Sequence, residues 1–396
     1  MSVPPMTDRE RFNATMHYRP RDRAPICDFG FWTETIAEWH KQGLPENVHY
    51  HNYDGIHTDE FFGMDKYAGG PGVNVGLCPG FGTKVLEDRG DHEVVQQDNG
   101  VIVLRKKYMS SIPTHLGHTL VDRESFRKHY KPRLDPSNPD RYPRDWEAAV
   151  KIWKDPNRPN PVTLSGGSLY GWLRDWMGME NLSLVVYDDP AFFEEMVETV
   201  ADCIIGTLTR ALETGGIFDA GAMWEDMCYN AGPLLGVEHF KKYLVPHYRR
   251  ISELFNKHGV DVIWLDCDGN IELLMPLWLD AGINCMFPVE IGTWGADPVK
   301  YRRQYGKRLL MMGGFDKHIL ARTKADIEKE IYRLAPLVEE GGYIGFCDHR
   351  VPPDVPLENY IFYLETVRRV WGKGINLKPM GRINPRPPSS SAHGSR

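Results

Sequence analysis

Residues 260–270 read VDVIWLDCDGN, an apolar run with β-branched Val260, Val262 and Ile263 that ends in Asp266, Cys267, Asp268, Gly269 and Asn270. An apolar run this short, closed by polar residues and a glycine, is the pattern of a buried parallel strand entering a loop. Alternate side chains of a strand share a face, so Asp266 and Asp268 are expected on one side and Cys267 on the other. Two carboxylates side by side at the end of a buried strand repel each other and lose hydration. They require a cation, a shared proton or strong donors. The plainer alternative has Asp268 capping the next helix and Asp266 half-solvated.

The same strand, loop, helix rhythm repeats from Pro161 onward. Strand-like runs occur in PVTLSGGSL (161–169), GIFDAGAMWEDM (216–227), INCMFPVE (283–290), RLLMMGGFD (308–316) and GYIGFCDHR (342–350), with helical periodicity between them. APICDFGFW (24–32) supplies a first strand. This alternation implies a parallel sheet with helices outside it. Seven strands are legible, and an eighth is expected either inside an inserted region or distorted. The expected fold is therefore a (β/α)8 TIM barrel, preferred over an open sheet because acidic, Cys and His residues collect at the strand ends, where barrel enzymes place their chemistry. One domain is expected over residues 1–371. Residues 43–160 read as an insertion capping the barrel, rich in Gly, Pro, His and Asp, and residues 372–396 as a disordered tail. Within the insertion, Lys84 to Tyr108 reads as a β-hairpin turning at Asp98-Asn99-Gly100.

Composition narrows the function classes. The 396 residues are 41% hydrophobic, enough for a large core, and the net charge of -7 without a basic block argues against a nucleic-acid surface. No apolar run approaches the length of a membrane span. No leader pattern opens the chain, and the seven cysteines are scattered without CxxC spacing, which suits a reducing cytoplasm. No GxGxxG or GxxxxGK[ST] follows a strand, so nucleotide binding is not indicated.

In a barrel, the strand-end polar residues converge on one mouth. They are Asp28, Ser165, Glu225 with Asp226, Asp266 with Asp268, Glu290, Asp316, and Cys347 with Asp348 and His349. Strand parity places Cys347 and His349 on one face. Asp266, Asp268, His349 and Cys347 are thus a candidate cation site, and a mixed Asp/His/Cys set suits zinc with one position open. Glu225 and Glu290 are the candidate catalytic acids. Trp32, Trp172, Trp224, Tyr229 and Trp294 fall at or just past strand ends and are candidate walls for a flat, largely apolar substrate. Each has an ordinary alternative: His349 as a loop hydrogen-bonder, Glu225 as the partner of Arg174, the aromatics as packing beneath the insertion.

RERFNATMHYRPRDRAPI (9–26), LRDWMGMEN (173–181), YDDP (187–190), WEDM (224–227), DCDGN (266–270) and GGYIGFCDHRVPPDVPLEN (341–359) together resemble the uroporphyrinogen decarboxylase superfamily. The resemblance extends over about Asp8 to Trp371. It implies a (β/α)8 barrel with one of two activities: porphyrinogen decarboxylation, or methyl transfer through a corrinoid. The decarboxylases carry an arginine-rich run after the first strand for the substrate's carboxylates. Here that place reads CDFGFWTETI (27–36), without arginine. The methyltransferase branch uses a His-x-Cys and a later Cys for zinc. Asp266-Cys267-Asp268 and His349 stand in those places, a harder donor set suited to an oxygen substrate.

The resemblance and the ligand change together imply a zinc-dependent methyltransferase. It would move a methyl group from a methoxylated small molecule, with aromatic ethers among the candidates, to the corrinoid of a partner protein. The alternative is a metal-free lyase or decarboxylase acting on a small carboxylic acid. Neither a nucleic acid nor a membrane is an expected partner, and a homodimer is a candidate assembly.

Overall fold

The computed structural model describes residues 3–50, 55–107, 109 and 112–383. Six parallel strands, Thr163–Gly167, Ala220–Trp224, Ile263–Asp266, Cys285–Val289, Leu310–Phe315 and Tyr343–Cys347, lie side by side in chain order. Helices cross between them, among them Pro190–Leu212, Val245–Lys257, Pro298–Tyr305 and Lys324–Glu340. This sequential order with helical crossovers is the mark of a barrel wall.

Two irregular segments fill the remaining positions. Residues 26–31 border the Tyr343–Cys347 side, where Phe31 bridges Val351 in parallel and Val351 N–H donates to Gly30 C=O at 3.0 Å. Residues 65–69 complete the circle: Asp65 N–H donates to Ile26 C=O at 2.7 Å, and Thr163 N–H donates to Gly69 C=O at 2.8 Å. Neither segment forms a regular ladder. Pro25 lacks a donor and Gly69-Gly70-Pro71 follows the other segment, so both sequences disfavour a long strand. A side chain substitutes: the Asp65 carboxylate accepts from Ile26 N–H at 2.8 Å and from Arg23 at 2.9 Å. The eighth strand position thus lies within the stretch expected to be one continuous insertion, which is two segments, one on either side of residues 65–69.

Strand parity sorts the core into two layers. Trp264, Cys285, Phe287, Met312, Ile344 and Phe346 fill the interior, while Leu265, Cys267, Met286, Met311 and Cys347 face the surrounding helices. All seven cysteines are free and buried. The helix Asp8–Met16, started by a Thr7–Glu10 capping box, plugs the bottom with Phe12 and Met16. It is tied to the amino-terminal ends of the strands through Arg9–Asp219 and Thr15 C=O with Gly342 N–H. Chemistry is left to the other end.

Over that end lies a four-stranded antiparallel meander, Lys84–Arg89, His92–Gln96, Val101–Lys106 and Thr114–His118, around buried Val95, Val101 and Val103. The expected hairpin turn at 98–100 is its centre. The stretch read as one arm, 84–96, is itself a hairpin, because Gly90 at φ 80° permits a second tight turn. Of the tail expected to be disordered from 372, the described part is packed: Lys378 pairs with Asp8, Gly381 N–H donates to Phe61 C=O, and Leu377, Met380 and Ile383 rest on the core. Residues 384–396 lie outside the described residues. No described helix is long and apolar enough to cross a membrane.

Candidate active site

Asp266 ends its strand with the interior parity of Trp264. Asp268 follows two residues later, ahead of Gly269, whose φ of 85° turns the chain away. No larger residue fits there, since a Cβ would fall 2.5 Å from Cys228 C=O. The neighbouring strand pairs Trp224 with Asp266, and two residues beyond it Asp226 takes φ 38°, which aims its carboxylate at the same point. The carboxylates of Asp226, Asp266 and Asp268 each offer an oxygen within 4.8 Å of the others. His349 Nε2 lies 3.3 Å from Asp268 Oδ2.

Three carboxylates this close are electrostatically unfavourable. Burial, then the charge of Asp268, pushes the Asp226 carboxyl up to about 6. Burial, then Asp226 and Asp268, holds Asp266 well above the ordinary range. Compensation by donors is sparse. Asp268 N–H reaches Asp226 Oδ1 at 3.3 Å, while Asp268 Oδ1 is buried with no hydrogen-bond partner. Arg174 donates to the Asp226 carbonyl, fixing the backbone and not the carboxylate. An orphaned oxygen among three oxygen donors and one imidazole fits a divalent cation.

The structure brings together Asp266, Asp268 and His349 and adds Asp226, which the sequence reading did not select as a ligand. It separates the others. Glu225 points to the helix side, where it accepts from the backbone N–H groups of Leu169, Tyr170 and Gly171 at 2.8–2.9 Å, from Ser168 Oγ at 3.0 Å and from Tyr248 OH at 2.7 Å. It is a clamp on the start of the helix Gly171–Met177 and does not reach the mouth. Cys347 also faces outward, fully buried, its thiol pushed up by burial and by Asp28. Its pairing with His349 assumed a strand regular through 349, but the strand stops at Cys347. Asp348 instead staples two loops, accepting from Gly292 N–H at 2.7 Å and Lys317 N–H at 3.0 Å, and His349 turns into the mouth.

Glu290 sits beside the cluster, accepting from Gly269 N–H at 2.7 Å and Thr293 Oγ1 at 2.9 Å. It holds the turn that carries Asp268, and burial with the Asp268 charge raises its own pKa. Trp32 stacks on His349 at 5.9 Å between ring centroids. Trp172 and Trp224, with Trp176, wall a cavity of about 590 Å³ roofed by Gln97, Asn99 and Arg105 of the meander. Tyr229 is 63% exposed on a short antiparallel bridge, and Trp294 packs against Tyr301. The place of an arginine run after the first strand is taken by aromatics: Phe29 makes edge contacts with Phe287 and His349.

A closed α/β barrel with its ionisable groups gathered at the carboxyl end is the architecture of a TIM-barrel enzyme. Residues 174–370 match the family model described as Uroporphyrinogen decarboxylase (URO-D). Similarity extends to a uroporphyrinogen decarboxylase from Acidiphilium cryptum, 27% identical over 190 residues, covering 46% of this chain and 49% of that protein. Another from Nostoc sp. is 22% identical over 214 residues, covering 53% and 57%. The chain spans about half the length of these curated relatives. A methyltransferase from Methanosarcina mazei shares the fold with a TM-score of 0.56 at 15% identity, covering 92% of this chain and 99% of that one. Over residues 174–370 the chain is thus similar to the uroporphyrinogen decarboxylase family, and the curated relatives it matches carry that name.

Proposed function

We propose that this chain is a cytoplasmic, metal-dependent methyltransferase of the superfamily that takes a methyl group from a methoxylated small molecule and passes it to the corrinoid of a partner protein. The observation that carries the reading is the Asp226–Asp266–Asp268 cluster with His349, at a mouth where aromatics stand in place of arginines. A porphyrinogen would bring many carboxylates to a rim already lined by acids, with too few cations to match them. The fold shared with the Methanosarcina mazei methyltransferase is compatible with the reading.

Asp266, Asp268 and His349 would hold the ion, zinc in our reading, with Asp226 as a further donor. When bound, the ion supplies Lewis-acid polarisation of the ether oxygen, and the partner's corrinoid supplies the methyl acceptor. The chain's own residues do the rest. Glu290 fixes the Gly269 turn and so the Asp268 carboxylate, and Arg174 fixes the backbone of Asp226. Trp32 packs on His349 and limits water on that side. Trp172, Trp176 and Trp224 offer flat apolar surface for a ring under the meander.

A second reading, a metal-free decarboxylase of a small acid, is favoured by the names of the curated relatives and by a carboxyl at Asp226 poised at about 6. The test incubates the metal-loaded protein with a methoxylated substrate and a Co(I) corrinoid and follows methyl–cobalt formation spectroscopically. Formation that disappears in Asp268→Ala and His349→Ala is the expected result. Carbon dioxide release by the metal-free protein, with no methyl–cobalt signal, would overturn the proposal in favour of the second reading.

A further inference from the structure

Arg350 follows His349 and sits half-buried at the same rim. Its guanidinium carbon lies 5.1 Å from the Trp32 ring centroid and 5.7 Å from that of Tyr50. The backbone is shaped to allow this: Gly30 takes φ 131°, and a Cβ there would fall 2.0 Å from the Tyr50 hydroxyl. Tyr50 can therefore lie over the first strand segment only because residue 30 has no side chain.

The other arginines near the mouth are engaged. Arg174 pairs with Asp175 at 3.0 Å, and Arg105 pairs with Glu93 at 2.8 Å. Arg350 makes no hydrogen bond or ion pair with any described residue. Two aromatic rings flank the guanidinium, and among the described residues no acceptor meets its N–H groups; a guanidinium so held is pre-organised for a planar, bidentate acceptor. Arg350 directly follows His349, whose Nε2 lies 3.3 Å from Asp268, so its charge stands at the same rim as the acidic cluster. The mouth thus has a carboxylate pole that suits a cation and a guanidinium pole that suits an anion.

We infer that Arg350 is the anchor for a carboxylate on the substrate, making the methyl donor an aromatic acid of the methoxybenzoate class and not a neutral ether. A ring carrying a carboxylate at one end and an ether oxygen at the other would satisfy both poles, whereas a neutral ether would leave the guanidinium unmatched. This rests on the function proposed above.

The experiment titrates the full-length protein with benzoate, 4-methoxybenzoate and anisole, read by tryptophan fluorescence and calorimetry, in wild type, Arg350→Gln and Arg350→Lys. Wild type should bind both acids more tightly than anisole. Arg350→Gln should weaken the acids about tenfold to a hundredfold, as expected for a charge-assisted pair, and leave anisole unchanged. Arg350→Lys should fall between, since it keeps the charge and loses the fork; it also serves if the Gln variant folds poorly. Unchanged benzoate affinity in the folded variants would overturn the inference, as would anisole binding as tightly as benzoate. An effect of the variants confined to assays containing the corrinoid protein would also overturn it, by assigning Arg350 to an acidic group of that protein. Benzoate carries no methyl to transfer. If it binds through Arg350 while 4-methoxybenzoate yields no methyl–cobalt, the methyltransferase reading fails and the anchor stands.

Discussion

Glu225 and Asp226 are adjacent, both carboxylates, and both raised by burial, yet they belong to opposite regions of the barrel. On the helix side, Glu225 is surrounded by three backbone N–H groups and two hydroxyls. At the mouth, Asp226 faces two further carboxylates and receives one long hydrogen bond. Burial raises a pKa in both places and so does not separate structure from chemistry. Satisfaction does. A buried carboxylate with all its acceptors used is part of the scaffold, and one left with open acceptors among its own kind is free to take a cation.

The largest effects should come from the mouth. Asp266→Asn, Asp268→Ala and His349→Ala are each expected to lower methyl transfer about a thousandfold or more. Metal should be lost with thermal unfolding little changed, as checked by elemental analysis beside circular dichroism. The converse should hold for Glu225→Ala. It strands the donors of Ser168, Leu169, Tyr170, Gly171 and Tyr248, and is expected to cost about 3–5 kcal/mol of stability in a denaturant titration. Any protein that folds should keep its metal. A Glu225 variant that keeps its stability but loses its metal would break the distinction between the two regions.

A smaller effect tests the helix side again. Asp28 accepts from Tyr360 OH and Phe29 N–H, each at 2.8 Å, and burial pushes its carboxyl up to about 7. The folded state therefore holds a proton that the unfolded chain releases near pH 4. This group's contribution to stability is full below about pH 4 and is lost as pH rises through about 7. Asp28→Asn should flatten that part of the stability–pH curve between pH 4 and 7 without affecting metal. The smallest effects belong to the cysteines. Cys347→Ser and Cys267→Ser should each cost about 1 kcal/mol and leave the metal in place, because both thiols lie on the helix side.

How much could be read in advance differs between the regions for physical reasons. The six regular strands carry β-branched apolar runs ending in polar residues, and such runs announce themselves. Residues 65–69 do not, because their closure depends on the Asp65 side chain and a glycine pair instead of a ladder. Within DCDGN, parity separates Asp266 and Asp268 from Cys267 because the chain stays extended there. In WEDM the same parity would have chosen Asp226 over Glu225, but only with the pairing of Trp224 to Asp266 in hand. Register is a long-range property that one strand does not encode. At Cys347-Asp348-His349 the strand ends one residue in, and parity misleads. Arg350 could not be singled out, since its setting depends on Trp32 and Tyr50, some three hundred residues away in the chain.

The most direct measurement is the metal content of protein purified without chelator, compared between wild type and Asp268→Ala. About one zinc per wild-type chain and almost none in the folded variant is the expected result. A wild-type protein that carries no divalent ion and gains none on dialysis against zinc, or a variant that retains it fully, would contradict the assignment of the acidic mouth as a metal centre.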